Sequence, residues 1–523
     1  MQTRSTVWSR LVRDPLVITN VLLLVASLVV GRVLYAGAFA YADSLNMLSS
    51  YPQLDAAGGT NVTATNLAEY VRHWYVGLNG RWSQAVMNGT LAGATKVFGF
   101  GPESFPWWMM RSLSLFCMLA TPINFLAAAG AFARQIRPMG VCLLVLAWGI
   151  WSFAQNTYAY SIWFDCLLTD RFVPMYLASV LAVGVARGWP GRRPLALAGF
   201  AVIYLFVAVE QFLVTLPVLL VGYTIYGRAR NGAARTLGML TGSIALSGVS
   251  ALIYFSSPGQ HWRNGLMSVT APDLSPAGIF TWFTHAMPLG YNVLFGQRDP
   301  AIYWTLHLLL LMAGAGALLS ATFVAWRARS SEPSSAGPLF EREDAVRWAV
   351  FATCFNSAYA ASLATLLVSP HFPEYAAQYP ALLLTLGLVF SVAAIARRLA
   401  APRPAAVLTA ACAVVVVLAV TVPAIRTNVT SFKEEAAYAR LRKAVYHRVL
   451  DLHRETGADA FVLTNSPVRS IGGTMEPPWG LSAYFRWAGK GDLLVLIDTN
   501  YDFAARPLDR QYVTIDLAPY WTR

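Results

Sequence analysis

The sequence predicts an α-helical polytopic membrane protein with a small α/β domain at its C-terminal end. Hydrophobic residues make up 56% of the 523 residues and charged residues only 12%, and the mean hydropathy is +0.49. A water-soluble fold cannot bury so much apolar surface. The apolar residues form runs long enough to cross a bilayer. Arginines cluster in every second loop between these runs, which is the charge pattern of cytoplasmic loops.

About eleven runs, each of roughly 15 to 25 residues, are predicted to be membrane-spanning helices. The predicted spans are Leu16–Tyr35, Trp107–Ala133, Met139–Ala154, Phe172–Ala186, Leu195–Val207, Phe212–Tyr226, Leu237–Phe255, Trp304–Trp326, Trp348–Val368, Ala381–Ile395 and Ala405–Ala424. The first span follows basic residues and lacks a clear cleavage site, so we expect a signal anchor rather than a removed signal peptide. An odd number of spans with a cytoplasmic N-terminus places the C-terminal end outside the cell.

The orientation follows from the basic loops that alternate along the chain. One side collects Arg4, Arg10, Arg13, Arg134, Arg137, Arg187, Arg192, Arg193, Arg228, Arg230, Arg235, Arg327, Arg329, Arg342, Arg347, Arg397, Arg398 and Arg403. A further span within Leu274–Gly296 would break this pattern, so that stretch is predicted to be a re-entrant or surface-lying pair of helices broken at Pro288 and Gly290. The net charge of +13 thus arises mostly from cytoplasmic loops and indicates no nucleic-acid partner.

Two domains are predicted from this topology. Residues 1–424 form the transmembrane domain, with large outer loops at 36–106 and 256–303, and residues 425–523 form an extracytoplasmic α/β domain. The five cysteines show no CxxC spacing, so neither a disulfide framework nor a zinc site is expected.

The extracytoplasmic domain is predicted from one helix and three strands. Phe432 to Glu455 has apolar residues spaced for one face of an amphipathic helix. Phe461–Thr464, Leu493–Ile497 and a stretch near Tyr512–Leu517 have the composition of buried strands.

The first outer loop combines acids, a base and aromatic residues. Asp43 follows the first span, and Glu69, Trp74, Arg81 and Trp82 come later in the loop. A carboxylate at the membrane surface can deprotonate a hydroxyl while a nearby arginine binds a phosphate leaving group. The alternative is that the acid only ends a helix and the tryptophans lie in the interfacial aromatic belt.

Other outer segments add candidate residues. A Pro-Gly turn after the seventh span presents His261 and Arg263, and the arginine can hold either a specific lipid phosphate or any headgroup. Asp170 and Arg171 are consecutive, so they are either site residues or simply a pair with each other. Glu210 lies in the short connection between the fifth and sixth spans, where an acid is either functional or the anchor of a polar network.

Four of these features together resemble bacterial GT-C glycosyltransferases, in particular the serotype-converting, O-antigen glucosyltransferase-like membrane proteins. They are the acid Asp43 after the first helix, Trp74 followed by Gly80-Arg81, Glu210-Gln211 in a tight outer turn, and Pro258-Gly259-x-x-x-Arg263. The resemblance covers most of the predicted transmembrane domain. GT-C enzymes transfer a sugar from a polyprenyl-phosphate donor to an acceptor on the outer face of the membrane.

The resemblance implies Asp43 as the catalytic base, with Glu69 or Asp55 as the alternative. The candidate donor-phosphate ligands are Arg263, Arg81, His261 and Arg171, and the candidate substrate-binding residues are Glu210, Trp74, Trp82 and Asp170. Many relatives have two adjacent acids where this chain has Ala42-Asp43-Ser44. A single acid favours metal-independent catalysis, because a hard divalent cation needs several oxygen ligands. No cofactor is therefore expected.

The sequence thus predicts an inverting glycosyltransferase of the bacterial inner membrane. Its expected partners are a polyprenyl-phosphate-linked sugar, a cell-envelope glycan or lipid acceptor, and the bilayer. A transporter or flippase of lipid-linked saccharides is one alternative, although transporters place charged sites near the bilayer midplane. A non-catalytic scaffold for envelope assembly is another.

Overall fold

Helices and a small parallel sheet account for most of the residues that the computed structural model describes. These residues are 14–35, 64–77, 80–98, 100, 107–131, 138–153, 168–189, 191, 193–226, 232–266, 273, 275–282, 284, 339–363, 378–399, 402–416, 418, 422–466, 484, 485, 488, 490, 492–498 and 511–521. The helices are α1 (Pro15–Leu34), α2 (Ala64–Gly77), α3 (Trp82–Val97), α4 (Trp107–Ala128), α5 (Pro138–Phe153), α6 (Val173–Ala186), α7 (Pro194–Val207), α8 (Gln211–Tyr226), α9 (Gly232–Phe255), α10 (Pro258–Leu266), α11 (Leu339–Ser362), α12 (Gln378–Leu399), α13 (Pro402–Val416), α14 (Val422–Thr456) and α15 (Ala518–Trp521).

Five helical segments among the described residues are long and apolar enough to cross a bilayer. They are Pro15–Leu34, Trp107–Ala128, Leu168–Ala186, Ala234–Phe255 and Gln378–Ala396, and three shorter apolar helices are Gly140–Trp151, Pro194–Val207 and Gln211–Ile225. All eight overlap predicted spans. The predicted span Trp304–Trp326 lies outside the described residues.

The surfaces of α1 and α9 are suited to lipid rather than water. Large apolar side chains are exposed along both helices, among them Leu22 (64%), Val33 (77%) and Leu252 (72%). Such continuous apolar exposure is typical of helices that face hydrocarbon.

The chain divides into two compact units. The first comprises Met1–Leu23, Cys117–Tyr158 and Arg171–Asn428, and the second comprises Leu24–Phe116, Ala159–Asp170 and Val429–Arg523. The predicted domain boundary at 424/425 falls inside α14. The first outer loop and the C-terminal segment, which the sequence analysis separates, both belong to the second unit.

Aromatic packing forms the core of the first unit. Phe355 packs edge-on against Phe125 with ring centroids 5.4 Å apart, and Phe351 lies 4.8 Å from the ring of Tyr223 and 5.3 Å from that of Phe390. These rings join α4, α8, α11 and α12, so a shared aromatic cluster positions four of the predicted spans.

Loops that the sequence assigns to one side of the membrane meet in the first unit. Arg187 donates two hydrogen bonds to the carboxylate of Asp14, just before α1, and Arg235 of α9 donates to the carbonyl oxygen of Gly188 at 2.9 Å. Partial burial acts to raise the pKa of Asp14, but the hydrogen bonds from Arg187 and the backbone outweigh it and lower this pKa. Three separate basic segments therefore share one end of the unit.

Close packing joins the first and second predicted spans in the second unit. A Cβ atom added to Gly31 of α1 would lie 1.8 Å from Oγ of Ser112 and 3.3 Å from its Cα in α4. Only glycine permits this approach of the two helices. The next residue of α1 is Arg32, and its guanidinium lies 5.4 Å from the ring centroid of Trp108, one turn before Ser112 in α4.

The first outer loop contains helices that the sequence analysis does not predict. Within 36–106, α2 and α3 are regular helices, and Tyr70 of α2 is buried and stacks on Trp74 at 5.6 Å. Residues 276–282 of the other large outer loop are also helical, in agreement with part of the predicted pair. The breaks predicted at Pro288 and Gly290 lie outside the described residues.

The predicted elements of the C-terminal domain are present. Helix α14 precedes β1 (Ala460–Thr464), β2 (Leu494–Ile497) and β3 (Val513–Asp516), which form a parallel sheet in the order β2-β1-β3. The central strand β1 is almost wholly buried, as expected for a parallel strand with neighbours on both sides. On α14, Tyr446 stacks on Tyr484 with centroids 4.2 Å apart. The helix therefore packs against Tyr484, which lies between β1 and β2 in the sequence.

Candidate functional site

Three of the predicted site residues cannot be placed by their side chains. Asp43, the predicted base, and its alternative Asp55 lie outside the described residues. The backbone of Arg263 belongs to α10, but the described part of the chain does not include its side chain. The roles of these three residues stay predictions.

Glu210 is the centre of a polar cluster that joins three predicted spans. Its Oε2 atom lies 3.4 Å from Nη2 of Arg171, and its Oε1 atom accepts a hydrogen bond of 2.9 Å from the hydroxyl of Tyr254. The side chains of Arg171 and Glu210 are only 5% and 17% exposed. The Glu210 cluster, comprising Glu210, Arg171 and Tyr254, therefore holds a largely dehydrated ion pair at the ends of helices.

Two local distortions of the backbone create this cluster. Glu210 has φ 44°, a left-handed conformation that costs a residue with a side chain about 1–3 kcal/mol. Arg171 lies in a π-helical turn, Leu168–Phe172, at the start of α6. Strained residues and π-helical turns both occur most often where a protein needs side chains in particular positions. Their meeting at one ion pair marks the cluster as a candidate functional site.

A second polar group lies in the second unit. Arg81 donates to Oδ1 of Asp170 at 2.9 Å, and their side chains are 11% and 9% exposed. Next to this pair, the hydroxyl of Thr169 donates to Oδ1 of Asn88 at 2.7 Å. The alternative that Asp170 and Arg171 pair only with each other is wrong, because each has a partner from another part of the chain.

The other predicted site residues are placed less closely together. Glu69 is exposed on α2, where Trp74 is half-buried against Tyr70. Trp82 is the first residue of α3 and is half-buried, and His261 is exposed on α10. None of these positions decides whether the residue has the predicted role.

Sequence reasoning missed one residue of the Glu210 cluster and one buried arginine outside the candidate sites. Tyr254 is 6% exposed near the end of α9 and binds Glu210, but a tyrosine at the end of a span normally belongs to the aromatic belt. Arg111 is completely buried one turn into α4. An arginine inside an apolar span is a recognisable signal that was available in the sequence.

Metal ligation is not evident where it can be assessed. Among the residues that the structure describes, no three His, Cys, Asp or Glu side chains lie close enough to hold a metal ion. The prediction of metal-independent chemistry stays a prediction, because Asp43 and its neighbours fall outside those residues.

Comparisons with protein-family models, with curated proteins and with solved structures find no match. The function must therefore be argued from the chemistry of the sites. A guanidinium held on one side by a carboxylate keeps N–H groups that can bind a second anion, such as a phosphate.

Proposed function

We propose that the protein is a GT-C-type glycosyltransferase of the bacterial inner membrane. It transfers a sugar from a polyprenyl-phosphate donor to a cell-envelope glycan or lipid on the outer face, with inversion at the anomeric carbon. It uses no cofactor. The eleven spans, the cytoplasmic N-terminus and the extracytoplasmic C-terminal domain form part of this proposal.

The observation that carries the proposal is the position of the Glu210 cluster. Helix α7 starts at Pro194, directly after the basic segment that contains Arg187, and ends at Val207 just before Glu210. Its 14 residues correspond to a length of about 21 Å. This is less than the ~30 Å of a hydrocarbon core. Because the basic end belongs on the cytoplasmic side by the positive-inside rule, the end that carries the cluster points toward the outer headgroups.

The outer headgroup region is where a lipid-linked sugar is presented to an acceptor outside the cell. A polyprenyl chain stays in the hydrocarbon region, so its phosphate and sugar lie at the membrane surface. Arg171, oriented by Glu210, supplies a cation for the donor phosphate in this proposal. Arg263, Arg81 and His261 stay the sequence-based candidates for the same role. An acid buried in the short turn between two spans is costly unless it has such a task.

The reaction needs one base and one stabilised leaving group. Asp43 accepts the proton of the acceptor hydroxyl, whose oxygen attacks the anomeric carbon. The bond between that carbon and the phosphate oxygen breaks, and polyprenyl phosphate leaves with the electron pair. The arginines stabilise the charge that develops on the leaving phosphate. Trp74, Trp82 and Asp170 line the substrate side in this proposal.

The location of buried charge favours an enzyme over a transporter. Within the described residues, the buried arginines of the apolar helices are Arg111 and Arg171. Arg111 is the fifth residue of α4, and Arg171 lies in the turn before α6. Both are close to helix ends, whereas transporters place such groups near the midplane.

The test is transfer of a radiolabelled sugar from a panel of polyprenyl-phosphate donors by the purified full-length protein in nanodiscs. We expect Asp43→Asn to lower kcat by about 10²–10⁴-fold, the usual contribution of a general base. The matched controls are Glu69→Gln, the alternative base, and Asp273→Asn, an exposed acid of the other outer loop. Both should leave kcat within about threefold.

Each other outcome has a definite meaning. Loss of transfer in Glu69→Gln but not in Asp43→Asn moves the base to Glu69. Absence of transfer from every donor contradicts the proposed function and leaves the transporter and the scaffold as explanations.

A further inference from the structure

Within the second unit, helix α3 turns one polar face toward Thr169 and Asp170 of the π-helical turn. Arg81, just before the helix, Gln84 and Asn88 are spaced by three and four residues, so they lie on the same side of the helix. Arg81 and Asn88 bind Asp170 and Thr169, which are consecutive in the turn. Gln84 lies between two residues whose contacts with the turn are known.

Gln84 is the exception in this polar face. Gln84 is 8% exposed, and its buried Oε1 atom has no hydrogen-bond partner among the residues that the structure describes. Nearly every buried polar atom in a folded protein has a partner, so an unsatisfied carbonyl oxygen calls for a specific explanation. A ligand that donates a hydrogen bond would satisfy it.

The neighbouring groups restrict the chemistry of such a ligand. Arg81 and Asp170 form an ion pair, and Gln84 and Asn88 are uncharged amides, so these four side chains together carry no net charge. Carboxylate, amide and guanidinium groups together can accept from and donate to adjacent hydroxyls. A neutral molecule rich in hydroxyl groups fits this set.

We propose that this face of α3 binds a saccharide, with one of its hydroxyl groups donating to Oε1 of Gln84. The inference rests on the proposed function, because it assigns to this face the sugar moiety of a substrate of the transfer reaction. It adds a specificity-determining residue, Gln84, one helical turn from Arg81, which is itself a candidate phosphate ligand. Arg81 and Asp170 position the turn against which the sugar binds.

The first test uses stability, and it needs no ligand. Gln84→Met is similar in shape and removes the unsatisfied oxygen, so Tm of the ligand-free full-length protein should rise by a few degrees. If Gln84 instead serves only to hold the fold, the same change should lower Tm. Thr90→Val is the matched control, because Thr90 is exposed on the same helix and its hydroxyl donates only within the helix, to the carbonyl of Val86.

The second test measures saccharide binding without turnover. The purified protein in nanodiscs is titrated with a fixed panel of neutral trisaccharides of glucose, galactose, mannose, rhamnose and arabinose. At least one should bind, and Gln84→Met should raise its Kd about tenfold, which corresponds to about 1.4 kcal/mol. Thr90→Val should leave this Kd unchanged. Failure of every trisaccharide to bind, or equal Kd values for Gln84→Met and the parent, overturns the proposal.

The two proposals fail in distinguishable ways. If trisaccharide binding depends on Gln84 but no donor supports transfer, the saccharide site stands and the proposed enzyme does not. If transfer occurs but Gln84→Met binds trisaccharides like the parent, the enzyme stands and the saccharide site on α3 does not.

Discussion

Breaking the ion pair between Arg171 and Glu210 should lower the free energy of unfolding strongly, because the pair is buried. At a separation of 3.4 Å and an effective dielectric constant of about 20, the gross attraction is about 5 kcal/mol. The cost of dehydrating both groups offsets much of this attraction. Glu210→Gln keeps an oxygen for the hydroxyl of Tyr254 but removes the charge beside Arg171. We expect this change to lower the free energy of unfolding by about 2–3 kcal/mol.

A double-mutant cycle separates the pair from its surroundings. The free energies of unfolding of the parent, Arg171→Met, Glu210→Gln and the double variant are measured by equilibrium unfolding in mixed micelles. The coupling energy should be about 2 kcal/mol, because the second substitution no longer leaves a charge without its partner.

Arg448 and Glu455 provide the matched control for this cycle. Their separation is 3.5 Å, close to that of the buried pair, but their side chains are 40% and 57% exposed. Water screens such a pair, so its coupling energy should be at most about 0.5 kcal/mol. If the cycle at Arg171 and Glu210 gives a coupling energy as small as this control, the account of a dehydrated, structurally important ion pair is wrong.

Three further predictions concern helix contacts. Gly31→Ala should lower the free energy of unfolding by about 1–3 kcal/mol in the same unfolding assay, because the new methyl group overlaps Ser112. Adding Ser112→Gly should restore most of the loss. An unchanged free energy of unfolding in Gly31→Ala would mean that the two helices are not in close contact. Tyr254→Phe should cost about 1.5–3 kcal/mol, the usual range for a hydrogen bond to a charged group, and an unchanged stability would contradict that bond. Folding lowers the pKa of Asp14 below 3.8, so its contribution to stability is present above that value and is lost as the pH falls through the lower folded-state pKa. Tm of Arg187→Met should be lower than that of the parent at pH 7, and the difference should shrink as the pH is lowered below 3.8; a difference that stays constant down to the acid limit of folding would exclude this linkage.

The apolar helices could be predicted because their signal is local. A run such as Pro15–Leu34 has one strong property, hydropathy, over its whole length, and the described structure has a helix within a residue or two of the predicted ends. The strands of the C-terminal domain were predicted for the same reason, since each is a short apolar stretch between turns. Their order in the sheet was not predicted, because strand pairing depends on contacts distant in sequence.

The helices of the first outer loop were missed because their signal is mixed. Ala64–Gly77 contains both charged and aromatic residues and has a low mean apolar content, so it does not stand out as a membrane span. The helix is held by Tyr70, which packs near Ala92 of α3. That packing partner lies more than twenty residues away and is not visible in a local window.

The sequence predicted which residues belong to the candidate sites but not which of them contact each other. Glu210 and Arg171 were both selected, yet their contact spans 39 positions of the chain. Asp170 and Arg171 are neighbours in sequence, but the π-helical turn gives them different partners. The regular α-helical period of 3.6 residues per turn does not reveal where a π-helical turn interrupts it.

The most direct test of the central claim is to ask on which side of the membrane transfer occurs. The full-length protein is reconstituted into vesicles of one orientation, verified by an impermeant maleimide that labels Arg193→Cys or Asp273→Cys from opposite sides, and a membrane-impermeant acceptor saccharide is added with radiolabelled polyprenyl-phosphate sugar. We predict transfer only when the side of Asp273 faces the added acceptor, and loss of that transfer in Asp43→Asn. Transfer on the side of Arg193, or transfer from both sides that Asp43→Asn does not affect, would contradict an outer-face glycosyltransferase with Asp43 as its base.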